Sequence, residues 1–235
     1  MSSLHILPLR TGAAAENMAL DFLLLQRYPQ ATAPRFRHYE WRKPAFTFGF
    51  SQKITFVRAQ LPPGEAVDLC RRPTGGGVVD HRNDWTYTLV LPRGHALYDE
   101  RAAHSYRAVH ECLTKALVAL GQPAEVKAEC EACEDSLPGI CFQKAELYDV
   151  VNGQTARKIA GAAQKRNKHG LLFQGSIEKA AVGAIDWDDF SARFVNELAK
   201  TLGVAAQETP WPDLNDEEVE GLIEQYSSPE WVEYR

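Results

Sequence analysis

The spacing of apolar side chains predicts helices near both ends of the chain and one in its centre. Between residues 100 and 120, apolar residues recur at steps of three and four, and Gly121 follows where a C-terminal cap is expected. Residues 13–27 form another apolar helical segment. In the C-terminal part, one helix is predicted to end at Gly203 and another to begin near Asn215.

Alternation of apolar and other residues predicts strands in the middle of the chain. Phe46, Phe48 and Phe50 alternate with threonine and glycine. Further strand segments are predicted at residues 36–41, 85–91, 148–151, 158–165 and 171–178. Central strands flanked by helices favour an α+β or mixed α/β fold over a regular βαβ alternation.

Composition narrows the class of protein. The chain has 235 residues, 45% of them hydrophobic, which suits one large domain with a sizeable core. Its net charge is −5 and it has no long run of like charges, so no nucleic acid partner is expected. Apolar stretches fall short of the roughly 20 residues that a membrane span needs. The N-terminus has no signal-peptide pattern, so we expect a cytoplasmic protein with no membrane partner.

Residues 71–81, which read RRPTGGGVVDH, are the most informative segment. Three consecutive glycines let a ligand approach the main chain closely, and N–H groups in such a loop can bind a carboxylate, phosphate or thioester oxygen. Arg71 and Arg72 add bidentate donors, and His81 could orient a reacting group. The alternative is an ordinary hairpin turn with exposed arginines. The spacing fits neither a Walker A loop nor a dinucleotide fingerprint.

Residues 157–164, which read RKIAGAAQ, place Lys158 at the start of a strand made mostly of small residues. Small side chains leave room for a ligand against the sheet. A lysine ammonium there could stabilise negative charge that develops during acyl transfer. The alternative is a surface lysine at a strand end, which is the commoner fate of a lysine.

Taken together, these segments resemble the catalytic domain of the lipoate-protein ligase and octanoyltransferase family. The resemblance continues through LFQGSI, NMALD, FGFSQ and YSSPEW, at residues 172–177, 17–21, 48–52 and 226–231. The segments stand in the family's order and cover most of the chain, which makes the set far more specific than any one motif.

The resemblance implies the biotin and lipoate protein ligase catalytic-domain fold, a mixed sheet flanked by helices, as a single domain over residues 1–235. It implies a tunnel for an eight-carbon acyl chain, with Lys158 as a catalytic residue at the acyl carbonyl. In a ligase, Asp149 would help to bind the nucleotide. The positions that it assigns to substrate and acyl binding are Arg72, Thr74, Gly75, Gly76, Gly77, His81, Gly161, Ala163 and Gly175. Gln174 departs from the histidine of many relatives, and glutamine cannot titrate.

The five cysteines are an odd number in a long chain, which argues against a secreted disulfide framework. Cys141, in a Cys-Phe pair, resembles the acyl-accepting cysteine of one octanoyltransferase branch and is the candidate nucleophile. The alternative is a buried thiol that packs as a small apolar side chain. Cys130 and Cys133 have the spacing of a metal knuckle or redox pair, but no second such pair completes a zinc site, so we predict no metal.

We therefore predict an acyltransferase of protein lipoylation, which needs no cofactor. It would attach an octanoyl or lipoyl group to a lysine of a lipoyl domain or a glycine-cleavage H-type protein, with acyl carrier protein as a donor. The segment after Ser176 is too short for the accessory C-terminal domain of some bacterial ligases, which favours the transferase. One alternative is a lipoate-protein ligase that uses ATP and Mg to form lipoyl-adenylate. Another is a non-catalytic binder of lipoyl domains or lipoate.

Overall fold

The structure is a computed structural model that describes residues 3–128 and 145–234. Its strands are β1 (Ser3–Gly12), β2 (Arg35–Trp41), β3 (Ala45–Phe48), β4 (Asp68–Arg71), β5 (Val78–Asp80), β6 (Asp84–Pro92), β7 (Ala124–Val126), β8 (Val150–Asn152), β9 (Lys158–Asn167), β10 (Gly170–Glu178) and β11 (Ala205–Glu208). Its α-helices are α1 (Ala14–Gln26), α2 (Ile54–Arg58), α3 (Ala96–Asp99), α4 (Ala102–Ala119), α5 (Trp187–Leu202), α6 (Asp216–Ser227) and α7 (Pro229–Val232).

Within the described ranges, eight strands form one sheet in the order β11-β1-β2-β6-β10-β9-β8-β7. β1 pairs in parallel with β2 and β11, and every other pairing in this sheet is antiparallel. A smaller sheet has the order β4-β3-β5. The predicted fold, a mixed sheet flanked by helices, is confirmed.

Side chains of the central strands β6 and β10 pack on both faces of the sheet, so the sheet separates two layers of helices. β6 and β10 pair without interruption from Asp84–Glu178 to Pro92–Gly170. Successive side chains of a strand point to opposite faces. Tyr87 and Leu89 therefore pack with α4 and α5 on one face, whereas Val90 packs with α1 residues on the other face.

Helix α1 is buried on nearly all sides because it lies between the sheet and α6. A buried ion pair links it to β2, with Asp21 Oδ1 2.7 Å from an Arg37 Nη atom and both side chains inaccessible to solvent. On the outer side, Phe22 makes an edge-to-face contact with Tyr226 of α6, at a centroid distance of 6.4 Å. The helix is thus fixed between two layers.

Several predicted boundaries are confirmed by their caps. Gly121 and Gly203 adopt positive φ angles of 76° and 68° after α4 and α5. The Asn215 side chain accepts a hydrogen bond from the Glu218 N–H at the start of α6. The strand predicted from residue 148 was wrong at its start, because Tyr148 has a φ of 68° and β8 begins at Val150.

Replacing Gly175 of β10 with alanine should destabilise the fold. A Cβ at this position would lie 2.2 Å from the Tyr87 ring, which is fully buried. Overpacking of this kind costs about 1–3 kcal/mol in the free energy of unfolding, which chemical denaturation would measure. Gly221→Ala is the control, because nothing lies within 4 Å of a Cβ there, and α6 should gain roughly 0.5–1 kcal/mol. Equal stability of the two variants would contradict the prediction.

Candidate active site

Lys158, the first residue of β9, lines a pocket and has only 7% of its surface exposed. Its Nζ lies 2.7 Å from Asp149 Oδ2. The space beside the lysine exists because residue 161 is glycine, whose Cβ would lie 2.8 Å from Lys158 Nζ. Lys158 is therefore a buried cation and not the surface lysine of the alternative interpretation.

The carboxylate of Asp149 is held by several donors. Oδ1 accepts a hydrogen bond of 2.5 Å from the Tyr106 hydroxyl, and Oδ2 accepts one of 2.7 Å from the Glu146 N–H as well as facing Lys158. Asp149 has 1% of its surface exposed. Two charges at this depth lose several kcal/mol of hydration each, so such a pair persists only when further hydrogen bonds satisfy both partners.

The main chain of the glycine loop, residues 74–77, is held by hydrogen bonds from Arg72. Arg72 Nη2 donates to the carbonyl oxygens of Gly75 and Gly77, at 2.9 and 3.0 Å, and its Nη1 donates to Thr47 Oγ1. Gly76 adopts a φ of 91°, which glycine tolerates at no steric cost. The buried guanidinium thus fixes the main chain of the loop, and the interpretation of an ordinary turn with an exposed arginine at 72 does not hold.

Gln174 connects the glycine loop to the buried ion pair of α1. Its Oε1 accepts from Thr74 Oγ1 at 2.7 Å, and its Nε2 donates to Asp21 Oδ2 at 2.6 Å and to Met18 Sδ at 3.2 Å. These contacts define which end of the amide is which. Glutamine at this position therefore has a structural task that needs a donor and an acceptor but no titration.

His81 lies between two partners that determine its tautomer. Asp84 Oδ2 is a carboxylate oxygen 2.6 Å from Nδ1, so Nδ1 carries a hydrogen and donates to it. In the neutral ring Nε2 is then an acceptor, and Thr47 Oγ1, 2.6 Å away, donates to it while accepting from Arg72. Trp41 stacks on the ring at a centroid distance of 4.1 Å. With Nε2 directed to Thr47, His81 shapes the pocket wall in this structure.

These groups surround a pocket. Its lining includes these predicted positions: Arg72, Gly76, His81, Lys158, Gly161, Ala163 and Gly175. Three other predicted positions lie outside the lining: Gly75 and Gly77 accept from Arg72, and Thr74 binds Gln174. Asp149 also lies outside the lining, as the partner of Lys158.

Several lining residues had not been assigned to ligand binding from the sequence. They are Met18, Tyr39, Trp41, Thr47, Val79, Thr86, Ala162, Gln174 and Ser176. Strand alternation is the signal that could have found some of them, because residues two apart share a face. Once Gln174 is placed in the pocket, Ser176 follows on the same strand, and Tyr39 and Trp41 form a similar pair on β2.

A family model decides the relationship: the lipoyl protein ligase A/B catalytic domain matches residues 13–180. The chain belongs to this family. Among its relatives, the octanoyltransferase LipM of Bacillus cereus is 32% identical over 170 residues, which are 69% of this chain and 60% of that protein. The chain thus matches about 60% of the length of that relative. Octanoyltransferase LipM of an Exiguobacterium species is 28% identical, with 97% of each chain covered.

Solved structures show the same fold. Protein Ta0514 of T. acidophilum, with bound lipoic acid, superposes with a TM-score of 0.76 and 20% identity, and all of both chains is covered. A bi-partite lipoate protein ligase from Thermoplasma acidophilum, studied with its E2 lipoyl domain, has a TM-score of 0.72 and 19% identity over 100% of this chain and 98% of that one. The lipoyl protein ligase A/B catalytic fold is therefore confirmed for this chain.

The cysteines of this family member divide into two groups. Cys130, Cys133 and the candidate nucleophile Cys141 lie outside the described residues. Cys70 and Cys112 are buried thiols. Burial raises the pKa of Cys70 well above its usual range, and Cys112 contacts α5 through Thr201 Oγ1 at 3.1 Å. Neither of these two lines the pocket.

Within the described residues, 3–128 and 145–234, no group of three or more His, Cys, Asp or Glu side chains is arranged to hold a metal ion. No helix in these ranges is long and apolar enough to cross a membrane.

Stability should fall as the pH drops below 6.5, with His110 of α4 as one cause. This residue is fully buried, its Nδ1 donates to the Tyr148 carbonyl at 2.6 Å, and burial lowers its pKa from the ordinary 6.5. Below pH 6.5 the unfolded chain takes up a proton that the native chain resists, so unfolding is favoured until the pH passes the native pKa.

His110→Asn keeps an amide donor near the place of Nδ1 for Tyr148 but does not titrate. Its free energy of unfolding should fall less steeply below pH 6.5, by at most about 1.4 kcal/mol per pH unit, in denaturant titrations at several pH values. His104→Asn, at an exposed position of the same helix, should keep the parent slope. Parallel curves for all three proteins would show that His110 does not contribute.

Proposed function

We propose that this protein transfers an octanoyl or lipoyl group to a lysine of a lipoyl domain or a glycine-cleavage H-type protein. The observation that carries the proposal is the buried Lys158 ammonium, which lines a pocket together with Gly76 of the glycine loop. A fixed positive charge inside it suits the carbonyl oxygen of an acyl group.

The pocket has the composition that an acyl chain requires. Met18, Val79 and Trp41 contribute apolar side chains, and Ala162 and Ala163 leave space along β9. Polar groups there are largely turned to one another: Thr86 Oγ1 and the Ser176 hydroxyl both donate to Asp84 Oδ2. An aliphatic chain that enters the pocket therefore does not remove water from these two hydroxyl groups without a replacement, because each already has a hydrogen-bond partner in the protein.

The proposed reaction has two acyl transfers. The Cys141 thiolate attacks the donor thioester carbonyl, and the carrier thiol leaves as the acyl-enzyme thioester forms. The acceptor lysine amine then attacks that thioester, the Cys141 thiolate leaves, and the new amide nitrogen releases a proton. In each step the carbonyl oxygen gains negative charge, which Lys158 stabilises.

The relatives named octanoyltransferase LipM favour the transferase over the ATP-dependent ligase. For the acceptor, the fold neighbour studied with its E2 lipoyl domain offers support by analogy.

Removing the charge of Lys158 should abolish most of the activity. Lys158→Gln keeps a hydrogen-bond donor beside Asp149, so the fold should persist, but the carbonyl oxygen loses its cation. We expect the rate of acyl transfer to fall by about 10²–10³-fold, measured by mass spectrometry of an apo lipoyl domain. Lys168→Ala, in the exposed turn between β9 and β10, should retain the parent rate. Full activity of Lys158→Gln with normal circular dichroism would refute the assignment.

Choice of donor separates the candidate functions. The protein would be given an octanoyl-carrier thioester or free lipoate, each with an apo lipoyl domain, and each with and without ATP and Mg. We expect transfer from the thioester without ATP. Cys141→Ala should abolish that transfer, whereas Cys112→Ala, at a buried position away from the pocket, should not.

Activity only with free lipoate and ATP would instead establish the ligase. Binding of the lipoyl domain with no modification under any condition would establish the non-catalytic binder.

A further inference from the structure

Tyr106 of α4 reaches from the helical layer to the partner of the proposed catalytic lysine. Its hydroxyl donates to Asp149 Oδ1 at 2.5 Å and accepts from the Ala162 N–H at 3.0 Å. We propose that Tyr106 is a positioning residue, which sets the place of Lys158 by holding Asp149. This inference rests on the proposed function, in which Lys158 polarises the acyl carbonyl.

The Tyr106 hydroxyl connects Asp149 to β9 at Ala162, where no strand pairing connects them. β8 begins at Val150, opposite Ala160, so the ladder between β8 and β9 does not reach Ala162. The Tyr106 oxygen takes the place of the absent strand carbonyl and accepts the Ala162 N–H. Because the same oxygen donates to Asp149, one atom sets the spacing between Asp149 and the strand that carries Lys158.

The direction of these hydrogen bonds is fixed. Burial, followed by the neighbouring Asp149 charge, raises the pKa of Tyr106 well above its ordinary value. The phenol therefore keeps its proton at any working pH, and it can only donate to the carboxylate. Asp149 in turn keeps a definite orientation, with Oδ2 left for the Glu146 N–H and for Lys158.

A second contact from α4 supports the same segment. His110 lies one helical turn after Tyr106, and its Nδ1 donates to the carbonyl of Tyr148 at 2.6 Å. Tyr148, the residue before Asp149, has a φ of 68°, which non-glycine residues adopt only when their surroundings enforce it. The helix therefore holds both the main chain before Asp149 and its side chain.

The test compares Tyr106→Phe with Tyr98→Phe. Each change removes one hydroxyl that binds near β9: Tyr98 donates to the Asn167 carbonyl at 3.0 Å, at the other end of that strand. Tyr106→Phe should lower kcat by about 10–100-fold with KM for the acyl donor nearly unchanged. A displaced catalytic group slows the chemical step but does not weaken binding of the substrate. Tyr98→Phe should leave both constants unchanged. Equal kinetics in the two variants would overturn the proposal.

Combination with Lys158→Gln separates positioning from a general loss of stability. If Tyr106 acts through Asp149 on Lys158, then Tyr106→Phe should lower kcat no further in the Lys158→Gln background. The melting temperature should still respond to both substitutions. An undiminished effect on kcat in that background would overturn the proposal.

A readout without turnover distinguishes this inference from the proposed function. Limiting acetic anhydride would label accessible amines, and mass spectrometry would give the labelling rate of Lys158. Loosening of its partner should raise that rate several-fold in Tyr106→Phe and not in Tyr98→Phe. If the parent protein transfers no acyl group but the labelling differs, the proposed function fails and the positioning role stands. If the parent is active and Tyr106→Phe matches it in kcat and labelling, the positioning role is refuted and the proposed function stands.

Discussion

The buried ion pair between Lys158 and Asp149 is the constraint on which the site depends. A lysine ammonium with 7% exposure is tolerated only with a carboxylate beside it, and that carboxylate needs its own donors. The surrounding elements meet these needs: Gly161 leaves the space for the lysine, and Tyr106 and the Glu146 N–H complete the shell of Asp149. The charge is thereby kept beside an apolar pocket, where electrostatic interactions are stronger than in water.

At the glycine loop too, buried polar groups are held by hydrogen bonds to other groups of the protein. Arg72 is buried beneath the glycine loop, and the carbonyls of that loop are its acceptors. Gln174 joins Thr74 of the loop to Asp21, whose charge is balanced by Arg37 of β2. Arg72 and Gln174 are thus hydrogen-bonded within the protein, and Met18, Trp41 and small residues line the pocket beside them.

Sequence patterns predicted the long helices and the central strands, and they missed the ten-residue strand β1 and several short elements. Helix α4 has apolar residues at steps of three and four, α1 is a long apolar segment, and the structure contains both helices as well as β9 and β10. β11 is a four-residue exposed strand at the edge of the sheet, so its sequence carries no alternation that could reveal it. The predicted strand at 148–151 includes Tyr148, but the contact from His110 holds this residue in a turn.

By itself, the sequence determined which chemical groups are present and in what order: a glycine loop beside arginines, and a lysine followed by small residues. These patterns, together with family resemblance, were sufficient to predict the fold and the pocket positions around Lys158. Only the tertiary structure decided how the groups are used. Whether Lys158 is exposed or buried, and whether Tyr106 and Gln174 belong to the site, depends on contacts between residues up to 156 positions apart. Such contacts form through packing of the layers, and no local pattern records them.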